Sequence, residues 1–389
     1  MTASSKLLDL STAERESLGL VHTLREILQQ PQTWRRTYER VQSFSGPIAE
    51  FLESAGVGAN RPLNVFLVGA GTSDYIGKSV CALLQKSWGC NVEAVPSTEL
   101  LTNMEDHLIS DRDYLWISFS RSGDSSEGVA VLEQALTQFP RVKHLIVTCN
   151  QNGRMARSFE NEKNVLSFVL DDEVNDRGLA MTSSFSNMVI AAQALAHLRT
   201  LGAYGSIVES LATSASLVLS AAMSVCERIV EQGFSKVCFL GTGPLKGAAV
   251  ESALKVLELT GGRVIGFAES FLGLRHGPLS AVDSDTLVVA FLSADSRRRA
   301  FEIDLLKEIL DKKLTAKYLV IAPTQAENPF PDTLSLQLSA PISDLYLPSL
   351  FVLVGQLLGL FASLREGLRP DEPSPRGAIS RVVSHVTIY

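Results

Sequence analysis

The densest chemistry in this sequence lies in "ISFSRSGDSSEG", residues 117–128. Ser118, Ser120, Ser122, Ser125 and Ser126 crowd around Gly123, between an apolar run and a helix-forming run. Hydroxyls and backbone N–H groups together make a cradle for a phosphate that needs little cationic charge. Arg121 adds one charged donor. A serine at this place also serves as an ordinary helix N-cap, but one serine suffices for that. A second candidate is "VGAGTSDYIG", residues 68–77. Its glycines let backbone approach a ligand, and the helix after them offers free N–H groups and a positive dipole end. The G-x-G turn alone is weak, because it lacks the spacing of a dinucleotide fingerprint and also fits a plain strand–helix turn.

Two further segments carry titratable groups. In "AAVESALKVLELTGG", residues 248–262, Glu251, Lys255 and Glu258 fall at i, i+4 and i+7, on one helix face. A solvated salt-bridge stripe is one reading of such a trio. The helix is apolar almost all the way round, however, and buried carboxylates need partners or a task. In "FLGLRHGPLSAVD", residues 271–283, His276 precedes Gly-Pro on a loop. Lone histidines are more often structural than catalytic.

These residues need a scaffold, and the pattern supplies one. "LNVFLVGAGTSDYIGKSVCALLQKSWG" reads as strand, glycine turn and helix, "NVEAVPSTELL" as a strand, and "DYLWISFSRSGDSSEGVAVLEQAL" as strand, polar loop and helix. "VKHLIVTCN" and "NVLSFVL" read as strands, and "MTSSFSNMVIAAQALAHLRTLG" as a helix. Near-continuous apolar strands alternating with helices predict a parallel sheet covered on both faces. From about residue 206 the series recurs: "KVCFLGTGPLKGAAVESALKVLELTGG", "VIGFAE", "TLVVAFLS", "RRAFEIDLLKEILDK", "KYLVIAP", "LSLQLS", and a closing helix in "LYLPSLFVLVGQLLGLFASL". The repeat distance is roughly 170 residues, which predicts an internal duplication with a boundary near 205. The second copy's loops, "GTGPLKG" and "FLSADSRR", are poor in serine, so one half keeps the phosphate cradle and the other has lost it. Ahead of the sheets, Ser11 and Glu14 form a capping box, and a helical pattern runs to Pro31.

Composition narrows the classes. The 389 residues allow two domains, and 46% hydrophobic content is enough for two cores. A net charge of −7 without a basic run argues against nucleic acid as partner. The five cysteines are odd in number and lack C-x-x-C spacing, which fits a reducing, cytoplasmic compartment and no disulfide framework. The six histidines show no metal-ligand spacing, so no metal or other cofactor is expected. The N-terminus lacks the apolar core of a signal peptide. The apolar stretch from Leu345 to Leu364 is broken by Pro348, Gly355 and Gln356, and reads as a buried helix rather than a membrane span.

Taken in order, "GAGTS", "SRSGDS", "ESALKVLEL" and "RHGPLSAVD" resemble the sugar isomerase (SIS) family. The closest resemblance is to the galactosamine-6-phosphate deaminase/isomerases, also called tagatose-6-phosphate ketose/aldose isomerases, and it extends to the isomerase half of glucosamine-6-phosphate synthase. It covers nearly the whole chain, and the tail "RVVSHVTIY" fits the first group. The fold it implies is α/β. Two tandem SIS domains, 48–205 and 206–370, are each a three-layer sandwich with a parallel sheet. A helical segment (1–47) precedes them and an extended tail (371–389) follows. The resemblance assigns the sugar phosphate to Gly71, Thr72, Ser73, Ser120, Arg121, Ser122 and Ser125. It makes Glu258 the base that moves a proton between C1 and C2, puts Lys255 beside the reacting oxygens, and gives ring opening to His276 from a neighbouring subunit.

There are departures from the synthase. Arg121 stands where it has glutamine, Gly273 where it has glutamate, and Ser384 where it has a catalytic lysine. Arg381 and His385 are the candidates to supply charge in place of that lysine, and Glu251 is the candidate base after Glu258. No cysteine follows Met1 and no glutaminase domain is seen in the sequence, so ammonia is not expected to be made from glutamine. The expected reaction is conversion of galactosamine 6-phosphate to tagatose 6-phosphate and ammonia, by an enzyme that is both isomerase and hydrolase. The alternatives are isomerisation without loss of nitrogen, a glucosamine or fructose 6-phosphate substrate, and a non-catalytic sugar-phosphate sensor. Expected partners are the small sugar phosphate and a second copy of the chain, as a dimer or higher oligomer with shared sites, and neither nucleic acid nor membrane. Glu258 and His276 are expected to leave the same sheet edge in different directions.

Overall fold

The computed structural model describes residues 7–59, 62–109, 111–323, 330, 332–374, 376–383 and 386–388. The chain divides into two compact units. One is built from 33–175, 183–208 and the residues from Arg381 onward; the other from the N-terminal residues up to Gln32, 176–182 and 209–380.

The first unit holds β1 (Leu63–Gly69), β2 (Asn91–Pro96), β3 (Asp113–Ser120), β4 (Lys143–Thr148) and β5 (Val165–Val169), in the order β2-β1-β3-β4-β5. All pairings are parallel. The central strands are buried along nearly their whole length, as apolar runs covered on both faces must be. "NVEAVPSTELL" divides differently from its sequence reading. The strand stops at Pro96, which has no N–H to extend the ladder, and Ser97–His107 is helical.

The second unit holds β6 (Lys236–Gly241), β7 (Ile265–Glu269), β8 (Thr286–Phe291), β9 (Tyr318–Ala322) and β10 (Thr333–Ser335). Their order, β10-β9-β8-β6-β7, is the first sheet's order read from the other edge, again all parallel. The duplication extends to backbone detail. Gly71 (φ 55°, ψ −124°) and Gly243 (φ 59°, ψ −127°) open the helices after β1 and β6 in the same conformation, which side chains rarely adopt. Of "LSLQLS" only Leu334 and Ser335 are in a strand, Thr333–Ser335, which pairs with β9 at the edge of the sheet.

At the N-terminus the capping box forms as expected: Ser11 N–H donates to Glu14 Oε2 at 2.8 Å, and Glu14 N–H to Ser11 Oγ at 3.3 Å. Pro31 does not end a helix. It is the second residue of a new one, Gln30–Ser43, where its missing N–H costs nothing. Helices Leu201–Glu231 and Pro348–Arg365 both have the length and hydropathy of a membrane span. The second is buried from Pro348 to Ser363 and packs on helix Pro244–Leu259, so it is a core helix, as its sequence suggests.

In the first unit's core, His144 is fully buried on β4, edge-on to Trp116 at 5.3 Å between ring centroids. Neither ring nitrogen has a hydrogen-bond partner among the described residues. Burial therefore pushes its pKa down to about 3. A folded-state pKa below the unfolded value stabilises the fold above about pH 6.5, and that contribution is lost as pH falls toward the folded value. His144→Leu is expected to flatten the acid limb of a plot of unfolding free energy, from urea titrations, against pH, by up to about 1.4 kcal/mol per pH unit below pH 6. An acid limb identical to that of the parent protein would show that another group sets acid sensitivity.

Candidate functional site

The serine loop and the glycine loop leave the carboxyl ends of β3 and β1, which are neighbouring strands. This edge is where open parallel sheets bind ligands. Gly71 turns the chain into helix Thr72–Trp88, whose first residues, Thr72 and Ser73, are buried. In the serine loop each predicted hydroxyl accepts a hydrogen bond from an amide of its own loop. Ser120 Oγ accepts from Gly123 N (3.0 Å), Ser122 Oγ from Asp124 N (3.2 Å) and Ser125 Oγ from Gly128 N (3.3 Å). Ser125 is thus the N-cap of helix Ser126–Gln138. Capping and ligand binding are compatible, because a hydroxyl that accepts an N–H still has its own hydrogen to donate.

Arg121 is placed differently from its expected role. The residue is 5% exposed, and its guanidinium donates to the Arg381 carbonyl. Arg381 in turn donates to Asn175 Oδ1 at 2.8 Å, and Ser126 N–H donates to the Val383 carbonyl at 3.3 Å. Arg121 and Arg381 therefore hold the tail against the loop. His385, like Ser384, lies outside the described residues.

The sequence reading missed the supports of this loop. Asn150 Nδ2 donates to the Ser122 carbonyl at 2.8 Å, Arg154 N–H donates to Asp124 Oδ1 at 2.9 Å, and Met155 N–H to the Gly123 carbonyl at 2.9 Å. Only Asp124, within the motif itself, left any local signal.

Replacing Ser122 and Ser125 together by alanine is expected to raise KM for a sugar phosphate about tenfold or more per hydroxyl, since a hydrogen bond to a charged group is worth about 1.5–3 kcal/mol. Loss of the Ser125 cap costs about 1 kcal/mol of stability, which leaves the chain folded. Unchanged calorimetric binding of sugar phosphates by the folded variant would remove these serines from the site.

In the second unit the trio is buried, which rules out a solvated stripe. Glu251 and Lys255 are fully buried, and the Glu258 side chain keeps 22% of its surface. Lys255 Nζ donates to Glu258 Oε2 at 2.5 Å and lies 3.3 Å from Glu251 Oε1. Burial alone favours a neutral amine. The charges and hydrogen bonds of Glu251 and Glu258 outweigh it, so the Lys255 pKa is raised and the group is a fixed ammonium. The helix bearing the trio is set by close packing. A Cβ on Gly355 would meet Ser252 Oγ at 2.2 Å, and one on Gly359 would meet Leu259 Cδ1 at 2.9 Å and the Lys255 carbonyl at 3.1 Å.

His276 is exposed, between the short helix Phe271–Leu274 and the 3₁₀ turn Pro278–Ala281. Gly277 turns the chain with φ 123°. Arg275 anchors this loop to helix Ser296–Asp311, with 2.7 Å contacts to Asp304 and to Glu308. One expectation needs correction. Glu258 and His276 do not leave the same sheet edge. Glu258 ends the helix that runs back from the carboxyl edge, and β7 then carries the chain forward again to His276. At about 3.3 Å per residue the five residues of β7 separate the two edges by about 15 Å. The unit thus presents the Lys255–Glu258 ion pair at one edge and an imidazole at the other.

The SIS domain family matches residues 60–198, which defines the first sheet and its two loops as an SIS domain. A relative from Streptomyces coelicolor that carries the AgaS designation is 38% identical over 95% of both chains. The D-galactosamine-6-phosphate deaminase AgaS of Escherichia coli O157:H7 is 35% identical over 94% of this chain and 95% of its own. The crystal structure of the tagatose-6-phosphate ketose/aldose isomerase from Escherichia coli superimposes with a TM-score of 0.86 at 34% identity, covering 94% of this chain and 96% of that one. The chain belongs to the SIS-domain family of sugar-phosphate enzymes, in the group that contains these deaminases and isomerases. The hydrolase expectation is overturned: the relatives are named as deaminases and isomerases.

Proposed function

We propose that this enzyme converts D-galactosamine 6-phosphate to tagatose 6-phosphate and ammonia. The observation that carries the reading is the buried trio, in which a permanently charged Lys255 holds one oxygen of a partly exposed Glu258. The phosphate is held by Ser120, Ser122, Ser125 and the amides after Gly71, with Arg121 and Arg381 shaping the loop. His276 assists ring opening. Glu258 takes the C2 proton of the open-chain aldehyde, and the Lys255 ammonium stabilises negative charge on O1 as the enolamine forms. Glu258 returns the proton to C1, leaving an imine at C2. Water adds there and ammonia leaves. Glu251 keeps Lys255 charged and stays out of the reaction.

In this reading the whole chain is two tandem SIS domains, 48–205 and 206–370, between the segments 1–47 and 371–389. The enzyme is a cytoplasmic homodimer or larger oligomer. The separation of Glu258 from His276 across β7 supports a site completed by the neighbouring subunit's histidine. The test is ammonia release from galactosamine 6-phosphate and glucosamine 6-phosphate, run beside isomerisation of tagatose 6-phosphate. Rapid tagatose 6-phosphate isomerisation without ammonia release from either amino sugar would replace deamination by simple isomerisation. No turnover of any of them would favour a sensor.

A further inference from the structure

The loop after β8 occupies the same place in the second sheet as the serine loop does in the first, between the strand beside the glycine turn and the helix that follows. Its residues are "SADSRRR", and helix Ser296–Asp311 opens with Arg297, Arg298 and Arg299. Three donors of different chemistry converge on one carboxylate. Ala294 N–H donates to Asp344 Oδ1 at 2.7 Å, Arg298 Nη1 to Asp344 Oδ2 at 3.0 Å, and Ser293 Oγ to the same oxygen. A backbone amide, a hydroxyl and a guanidinium are the donor set of a phosphate site. Ser293 is fully buried and Asp344 is 2% exposed. Asp344 is not local to the loop. It comes from the 3₁₀ turn Asp344–Tyr346, at the start of the final helix. Beneath the loop, Glu302 accepts the Ser293 N–H at 2.7 Å, and burial lifts its carboxyl to about 7. The floor therefore carries only part of a charge near neutral pH.

We propose that the second unit retains an anion cradle, that Asp344 fills it as an internal stand-in for phosphate, and that this carboxylate limits the duplicated chain to one phosphate site. The latent ligand is inorganic phosphate or the phosphate group of a monoester. The proposal uses the phosphate role of the serine loop only to count sites, so the readout is a difference between variant and parent.

The experiment is calorimetric titration of the full chain with inorganic phosphate, using the parent, Asp344→Ala and Asp344→Asn, with melting curves in chloride and in phosphate. Each variant is expected to bind one more phosphate per chain than the parent, and phosphate should raise its Tm by more than it raises the parent's. Arg298→Gln on either background should weaken the gained site about tenfold or more. If the alanine variant does not fold in chloride, recovery of its fold by phosphate supports the cradle, and the asparagine variant carries the titration. Folded variants with the parent's stoichiometry and no extra melting shift overturn the proposal, as does a gained site indifferent to Arg298. A parent that binds none while the variants bind one would leave this inference standing and remove the serine loop as a phosphate site. A parent and variants that all bind one would do the reverse.

Discussion

Glu258→Gln is expected to lower kcat by about 10²–10⁴-fold while sugar-phosphate binding survives. The amide is nearly isosteric with the carboxylate and still accepts the Lys255 hydrogen bond that now measures 2.5 Å. It cannot accept a proton near neutral pH. Lys255 keeps Glu251 at 3.3 Å, so the variant buries a balanced pair and the helix should hold its place. Solvent deuterium appearing at C1 of the product reads the step directly. Retained turnover at the parent rate would make Glu258 structural. Glu251 would be the next carboxylate to test, although its complete burial on the far side of Lys255 argues against direct contact with substrate.

Mixing two inactive variants is expected to restore activity. Glu258→Gln chains lack the proposed base, and His276→Ala chains lack the proposed ring-opening group. If each site takes Glu258 from one chain and His276 from the other, a mixed dimer has one site with both residues intact and one with neither. If each chain completes its own site, every site in the mixture keeps a lesion. Recovery should approach half the parent's activity per mixed dimer. The structure sharpens the expectation, because the two residues lie at opposite ends of β7 within their own unit. Continued inactivity after subunit exchange is proven, by tagged-chain pull-down for instance, would sink the shared site and leave the proton-transfer assignment untouched.

Much of the scaffold was legible because its signals are local. The strands are short apolar runs, and the glycines after β1 and β6 mark a backbone conformation that favours glycine. The trio was legible too, since helical spacing places Glu251, Lys255 and Glu258 on one face wherever the helix sits. Pro31 misled because a proline that ends one helix and a proline that begins another look alike until the next turn is seen. The partners of Arg121 had no local signal: the tail carbonyl it reaches lies 260 positions along the chain. The edge at which His276 sits follows from chain direction alone. A helix returns the chain to the amino edge and a parallel strand takes it forward again, so residues before and after β7 must sit at opposite edges. Asp344 illustrates the remaining gap. Nothing in "ISDLY" announces a carboxylate that fills another segment's amide and guanidinium.

Gly355 and Gly359 have a bearing on how this enzyme could change its substrate. With backbone from one helix in contact with side chains and carbonyls of the other, the segment that carries Lys255 and Glu258 is packed closely against the final helix, and shifting it would break that packing. If Glu258 is the base proposed above, this segment acts as a fixed ruler against which the sugar is measured. A longer, shorter or epimeric substrate cannot be met by shifting the base. Adaptation has to come from the parts not gripped in this way, the surface loops, whose sequence drifts most readily. On that reading, chemistry and selectivity fall to separate stretches of chain, free to evolve at different rates.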